Sequence, residues 1–205
     1  MQNKQVNKRK HCGSCTYPES TCLCQWIKPI SSPIPLIILQ HPQEAKHAKN
    51  TVKLLQLGLH NIEVLQGENS NDFAQLVNRV GQQPHNFSLC YPNVHSMAIE
   101  STLHCSPKAS IYNQGHSLIF IDASWRKALK MWHLNPWLHQ LDSWHFDQPP
   151  TNQYKIRQTK QENSLSTLEA VAYVLSKTQQ VNCSPLIQLF LKMQQLSFKN
   201  MHNSN

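Results

Sequence analysis

The sequence predicts an α/β protein, a parallel sheet flanked by helices. Two observations point there. Short apolar runs alternate with amphipathic stretches along most of the 205 residues, and strand–helix alternation is the sequence signature of a parallel sheet. The hydrophobic content of 40% is enough for one domain with a real core, with or without a small appendage. In chain order, residues 35–40 read as a buried strand. Residues 44–57 read as a helix ended by Gly58, and 62–65 as a second strand. A helix over 71–80 ends at Gly81. Residues 87–91 form a third strand, followed by a short helical segment. Residues 117–121 form a fourth strand and 124–133 a helix, and 166–179 and 185–198 are C-terminal helices. The polar, aromatic stretch 143–163, with Pro149-Pro150, reads as a long connection or an irregular strand pair, and residues 201–205 as a frayed end.

Composition narrows the function. Lys and Arg number 19 against 11 Asp and Glu, a formal charge of +8, which suggests a polyanionic partner, RNA or DNA first. Only 5 glycines are present, at 13, 58, 67, 81 and 115. Neither G-x-G-x-x-G nor G-x-x-x-x-G-K-[ST] can be assembled from them, which excludes the usual dinucleotide fingerprint and the P-loop. No apolar run approaches the ~20 residues of a membrane helix. The first residues, Met1-Gln2-Asn3-Lys4, lack a signal-peptide core. A cytoplasmic protein with no membrane partner is expected.

Four of the 7 cysteines crowd the start of the chain as Cys12-x2-Cys15-x6-Cys22-x-Cys24. Four soft ligands at this spacing suit a closed, structural tetrahedral Zn²⁺ site. The competing readings are disulfides, which fit poorly without a secretion signal, or independent thiols, which would not cluster. Cys90, Cys105 and Cys183 read as small hydrophobes. Lys4, Lys8, Arg9, Lys10 and Lys28 surround the cluster. They form either a basic arm that holds RNA or a solvated, disordered terminus.

Ligands of parallel α/β sheets bind beyond the carboxyl ends of the strands. Three such ends carry suggestive residues: His41-Pro42-Gln43-Glu44, Tyr91-Pro92-Asn93 and Asp122-Ala123-Ser124-Trp125. Each has a plain structural explanation. Asp122 can cap the helix that follows it. Trp125, Leu129 and Trp132 have core spacing, with Arg126, Lys127 and Lys130 on the opposite face. Ser166-Thr167-Leu168-Glu169 fits a capping box, and His41 with Glu44 a helix start with Pro42 in the first turn. Asn50-Thr51 falls mid-helix, where neither residue is favoured.

Their combination is less easily explained. The order C-x2-C-x6-C-x-C, H-P-x-E with N-T six residues on, a Tyr-Pro strand end, D-x-S-W and S-T-x-E-A resembles the DTW-domain family, the tRNA-uridine aminocarboxypropyltransferases. The resemblance runs from about Cys12 to about Leu175. One departure is visible: Ser124 stands where the family name records Thr, and it keeps the hydroxyl. The resemblance implies a SPOUT-like sheet with a knotted C-terminal half over residues 31–205, behind a zinc module and basic arm over 1–30. It implies S-adenosylmethionine as donor and transfer of its 3-amino-3-carboxypropyl group to N3 of a tRNA uridine, in the variable loop for bacterial members. 5′-Methylthioadenosine is released.

Uracil N3 attacks well only once deprotonated, so a strand-end carboxylate, Asp122, is the candidate general base. Tyr91, Pro92, Ser124, Trp125, Ser166, Thr167 and Glu169 are the candidate cofactor contacts. His41, Glu44, Asn50, Arg126, Lys130 and Arg157 are candidates for the RNA rim, and Cys12, Cys15, Cys22 and Cys24 for zinc. The expected partner is tRNA, and the chain a monomer or homodimer. An rRNA aminocarboxypropyltransferase, a SPOUT methyltransferase and a zinc-bearing RNA-binding module without catalysis are the alternatives. DNA binding is disfavoured, because no C-x2–4-C-x12-H-x3–5-H motif is present.

Overall fold

A computed structural model describes residues 10–47, 49–101, 115–154 and 165–202. Six strands form one sheet in the order β2-β1-β5-β3-β6-β4, with every neighbouring pair parallel. The strands are β1 (Ile30–Gln40), β2 (Leu59–Gln66), β3 (Phe87–Cys90), β4 (Met97–Ala98), β5 (Ser117–Asp122) and β6 (Asp142–His145). The helices are α1 (Pro42–Ala45), α2 (Thr51–Gly58), α3 (Ala74–Gln82), α4 (Trp125–Leu134), α5 (Thr167–Gln179) and α6 (Ser184–His202). The expected parallel sheet between helices is present. None of the helices among the described residues is long and apolar enough to cross a membrane.

The core divides by strand alternation. Leu36 and Ile38 of β1, with Leu118 and Phe120 of β5, bury against α2, α5 and α6. Ile37, Leu39 and Ile119 bury on the other face, against Leu76 and Val80 of α3 and Ala128 and Met131 of α4. Strands apolar on both faces are what a parallel sheet between helix layers requires. Each fully buried aliphatic side chain contributes about 1.5–3 kcal/mol. Pro33 and Pro35 are tolerated in β1 because the ladder is irregular between Ser31 and Leu36, and pairing with β5 begins only at Leu36.

Several sequence expectations are corrected. The single helix over 44–57 is two helices, because Asn50 leaves helical geometry (φ −66°, ψ 117°) and caps α2, its side chain accepting from Val52 N at 2.9 Å. Asn50-Thr51 is therefore a helix start. Gly58 closes α2 where it crosses α6; a Cβ there would lie 2.8 Å from Leu186 Cδ2. Gly81 does not stop α3, which runs on to Gln82. The segment after β3 forms the short strand β4 before turning helical at Ile99. Residues 142–145, overlapping the start of the stretch read as a long connection or an irregular strand pair, are β6, pairing with both β3 and β4. Trp125 and Leu129 are not core: they are 45% and 50% exposed, and α4 buries Ala128 and Met131 instead. The buried direction of α4 runs through Ala128 and Met131, so Trp125 and Leu129 fall on its flank. Helix α6 continues through His202, and residues 203–205 lie outside the described residues, as do Lys4, Lys8, Arg9 and Cys105.

Candidate active site and cysteine knuckle

The cysteine segment folds on its own hydrogen bonds. Cys12 N donates to Tyr17 O at 2.8 Å and Thr16 N to Cys12 O at 2.9 Å, closing a tight loop in which Thr16 takes a left-handed φ of 59°. Two 3₁₀ turns, Glu19–Thr21 and Cys24–Trp26, bring back the second cysteine pair. All four sulfurs lie within 4.8 Å of one another, with Cys12–Cys24 at 3.5 Å and Cys15–Cys22 at 3.8 Å. These separations are far longer than a disulfide bond of about 2 Å. They match the edge of about 3.8 Å that four Zn–S bonds of about 2.3 Å generate. The donor set thus fits a metal ion. Backbone N–H groups of Cys15 and Ser14 hold the Cys12 thiol down to about 6, while the neighbouring Cys12, Cys22 and Cys15 sulfurs push Cys24 up to about 12. A central cation relieves that mutual repulsion. The knuckle sits on the helices: Cys15 and Leu23 are buried in the α2/α5/α6 core, and Lys53 and Lys192 lie over the rings of Tyr17 and Trp26.

At the carboxyl ends of β1, β5, β3 and β6 lies a cavity of about 520 Å³, within the size range of small-molecule sites. The three strand-end segments named from the sequence do share a rim, because β1, β5 and β3 are adjacent. Asp122 ends β5 and lines the cavity. Its Oδ2 accepts from Gln40 Nε2 at 2.8 Å and its Oδ1 from Thr167 Oγ1 at 2.5 Å. Asp122 is not the helix cap: Ser124 occupies the N-cap position of α4. Gln40 Nε2 also lies 3.1 Å from Asn50 Oδ1, which ties the start of α2 to the same cluster.

The capping box at α5 is real. Ser166 N and Oγ donate to Glu169 Oε2 at 2.8 and 2.7 Å. Capping and site-building are not alternatives here, since the same turn places Ser166 and Thr167 on the cavity. Glu169 is buried and does not line it. Its Oε1 accepts from Gln153 N at 2.6 Å, so the carboxylate holds a neighbouring chain segment.

That segment belongs to the far wall, which comes from residues 144–154 and which sequence reasoning missed. Trp144, His145, Phe146, Pro149, Asn152 and Tyr154 all line the cavity. The wall is held from elsewhere. Glu100 accepts from Asp147 N, Gln148 N and the Tyr173 hydroxyl at 3.2, 3.1 and 2.6 Å. The Tyr154 hydroxyl donates to Lys49 O, and its ring packs edge-on to Phe190. His145 lies between Ser96 Oγ (2.9 Å) and Asp147 Oδ1 (3.1 Å). The available sequence signal was the density of Trp144, Phe146 and Tyr154 in an otherwise polar stretch. Cys90, read as filler, is also part of the cavity wall, whereas Cys183 is buried in the core.

The remaining candidates divide. Tyr91, Pro92, Ser124 and Trp125 line the cavity, as do Glu44 and Asn50. His41 does not. It is buried, caps α1 by accepting from Gln43 N through Nδ1, and meets Glu68 Oε1 through Nε2 at 3.3 Å. Lys127 pairs with Glu44 at 3.4 Å and Lys130 with Glu68 at 2.9 Å, tying α4 to α1 and to the loop after β2. Arg126 and Lys130 are exposed on α4 and do not line the cavity. Arg157, with Lys155 and Lys160, lies outside the described residues.

Comparison with known proteins gives a consistent picture. A family model described as DTW domain matches residues 9–197. A protein of Drosophila melanogaster named tRNA-uridine aminocarboxypropyltransferase 2 is 31% identical over 179 residues, covering 83% of this chain and 67% of that protein. The protein of the same name from Mus musculus is 26% identical, covering 88% of this chain and 60% of its own. The chain thus spans about three fifths to two thirds of the length of these relatives. No solved structure matches it.

Proposed function

Because the chain belongs to the DTW-domain family, we propose that it is a tRNA-uridine aminocarboxypropyltransferase that uses S-adenosylmethionine and acts on N3 of a tRNA uridine. The observation that carries this reading is the hydrogen bond from Thr167 to Asp122, 45 residues apart in the chain. It joins two motifs, each explicable locally as a helix start, at one cavity.

When bound, S-adenosylmethionine supplies a 3-amino-3-carboxypropyl carbon whose bond to sulfur breaks toward sulfur as uracil N3 bonds to it, leaving 5′-methylthioadenosine. The chain does the rest. Asp122 takes the N3 proton, and Gln40 and Thr167 fix the direction of its carboxylate. Ser124 and Ser166 present hydroxyls to the amino-acid end of the donor, while Tyr91, Pro92 and Trp125 wall it. Holding both reactants in one cavity supplies much of the rate, because the sulfonium is already a good leaving group. Glu169 acts at one remove, by holding Ser166 and the segment at Gln153.

Cys12, Cys15, Cys22 and Cys24 hold a structural zinc ion. Arg126 on α4 and the basic residues near the knuckle face tRNA phosphates. The SPOUT-like class with a C-terminal knot, the division at about residue 30, a cytoplasmic setting and a monomer or homodimer belong to the same proposal. Its support in the fold is the all-parallel sheet with the cavity at its carboxyl edge.

Incubation with S-adenosylmethionine and bulk tRNA, followed by nucleoside mass spectrometry, is expected to yield aminocarboxypropyl-uridine. Asp122→Asn is expected to lower the yield by at least about 100-fold while metal content and donor affinity persist. Near-normal product from that variant removes Asp122 as the base. A nucleoside heavier by one methyl group replaces the reading with a methyltransferase, and no modified nucleoside from the wild-type chain overturns it.

A further inference from the structure

Helix α4 begins at the cavity, where Ser124 and Trp125 line it. An apolar strip continues from there along the outside of the helix. Trp125 is 45% exposed, and Leu129, one turn on and clear of the cavity lining, is 50% exposed. Side chains at i and i+4 of a helix are neighbours, with Cβ atoms about 5–6 Å apart, so the two form one patch. An exposed leucine alone is ordinary, but tryptophan is buried for the most part in folded proteins. The packing of α4 rests on Ala128 and Met131 instead, so the fold does not call for the strip.

Charge beside the strip indicates what covers it. Two cations of α4 are matched within the protein, Lys127 by Glu44 at 3.4 Å and Lys130 by Glu68 at 2.9 Å. Arg126, exposed and next to Trp125, makes no ion pair among the described residues. An apolar platform beside an unmatched guanidinium, in a chain of formal charge +8, has the complementary chemistry of a single-stranded nucleotide, with its flat base and its phosphate. An apolar protein surface would leave the guanidinium without a counterpart.

We propose that this face of α4 holds the nucleotide next to the reacting uridine, its base stacked on Trp125 and Leu129 and its phosphate on Arg126. The inference rests on the transferase reading above and names what grips the RNA outside the cavity. Turning a uridine out of an RNA stack strips the adjoining base of its neighbour. The Trp125 ring replaces that neighbour, whatever the base, because stacking on an aromatic ring tolerates any sequence.

Two probes test it: bulk tRNA, and an RNA pentamer with one uridine between adenosines, made with and without the two bases adjoining the uridine. 5′-Methylthioadenosine reports separately on the cavity. Leu129→Ser is expected to bind tRNA several-fold more weakly with an unchanged salt slope, because stacking releases no counterions, and to bind 5′-methylthioadenosine like the wild type. Removing the two bases is expected to weaken pentamer binding about tenfold in the wild type, with much less effect in Leu129→Ser. Trp125→Phe should keep more of that difference than Trp125→Ser. Wild-type tRNA affinity in Leu129→Ser, or a pentamer that binds no better with its adjoining bases than without them, overturns the inference and leaves the transferase reading to the nucleoside assay. An equal loss of 5′-methylthioadenosine affinity in Leu129→Ser also overturns it, since Leu129 would then act through the cavity. A wild-type dimer that Leu129→Ser dissolves, with tRNA affinity unchanged, makes the strip a contact between copies and overturns it too. The expected losses in a chain that makes no modified nucleoside keep the nucleotide dock and overturn the transferase reading.

Discussion

The cysteine knuckle and the far wall of the cavity are both short, irregular and rich in side-chain contacts, yet only the knuckle was readable in advance. Its sulfur pairs close over 12 and 7 residues. The wall at 144–154 is held by partners 47 residues away at Glu100, 16 away at Glu169 and 105 away at Lys49. A site whose ligands are neighbours in sequence announces itself by spacing. A site assembled by crossover connections shows only a composition that local rules leave unexplained.

The largest test of that contrast removes the local clasp. Cys12→Ser with Cys15→Ser is expected to abolish metal binding and to unfold the knuckle, since the binding free energy of such sites is on the order of 10 kcal/mol. Metal content and thermal melting measure it, and a metal-free variant that melts like the wild type would show that the knuckle needs no ion.

The next attacks the wall through its most buried support. Glu169→Ala opens the capping box and strands the Gln153 N–H, at a cost of about 2–3 kcal/mol in urea unfolding. Ser166→Ala loses only the cap, about 1 kcal/mol. Equal losses for the two variants would mean that the reach to Gln153 contributes nothing.

A smaller effect concerns acid. Burial opposes the charge on Glu100, but the Tyr173 hydroxyl and the amides of Asp147 and Gln148 outweigh it and hold the carboxyl below the usual range near 4.5. A folded value below the unfolded one means stability that is present above that range and is lost as pH falls through the folded value. Glu100→Gln should lower stability at neutral pH, where the charged carboxylate contributes fully, and flatten the stability curve below about pH 4.5. A curve still as steep would place the acid sensitivity elsewhere. The smallest effect is expected at the surface. Arg126→Ala should leave folding alone and reduce the salt slope of tRNA binding by about one, and an unchanged slope would take Arg126 off the tRNA path.

Much of the scaffold was legible. Strands β1, β2, β3 and β5, the Ser166 cap and the His41-Pro42 helix start follow from alternation and from side chains that bond within three residues. Asn50 was misread for the converse reason. Helix periodicity continues across it on both sides, and only the Gln40–Asp122 cluster beneath shows why the chain stops there to turn. The core reading of Trp125 failed because its spacing with Leu129 and Trp132 marks a stripe without saying which way the stripe faces; Trp132 does pack on Tyr91 and His139, while Trp125 is 45% exposed and lines the cavity.

The sequence by itself determined the parallel α/β class, the four-cysteine cluster and the rim at the strand ends, because alternation, caps and ligand spacing act over a few residues. Only the tertiary structure decided which face of α4 is buried, that Thr167 reaches Asp122, and that Trp144, Phe146 and Tyr154 complete the cavity. Parallel strands must be joined by long crossovers, so side chains that meet at one end of such a sheet come from distant parts of the chain, and no local pattern records their meeting.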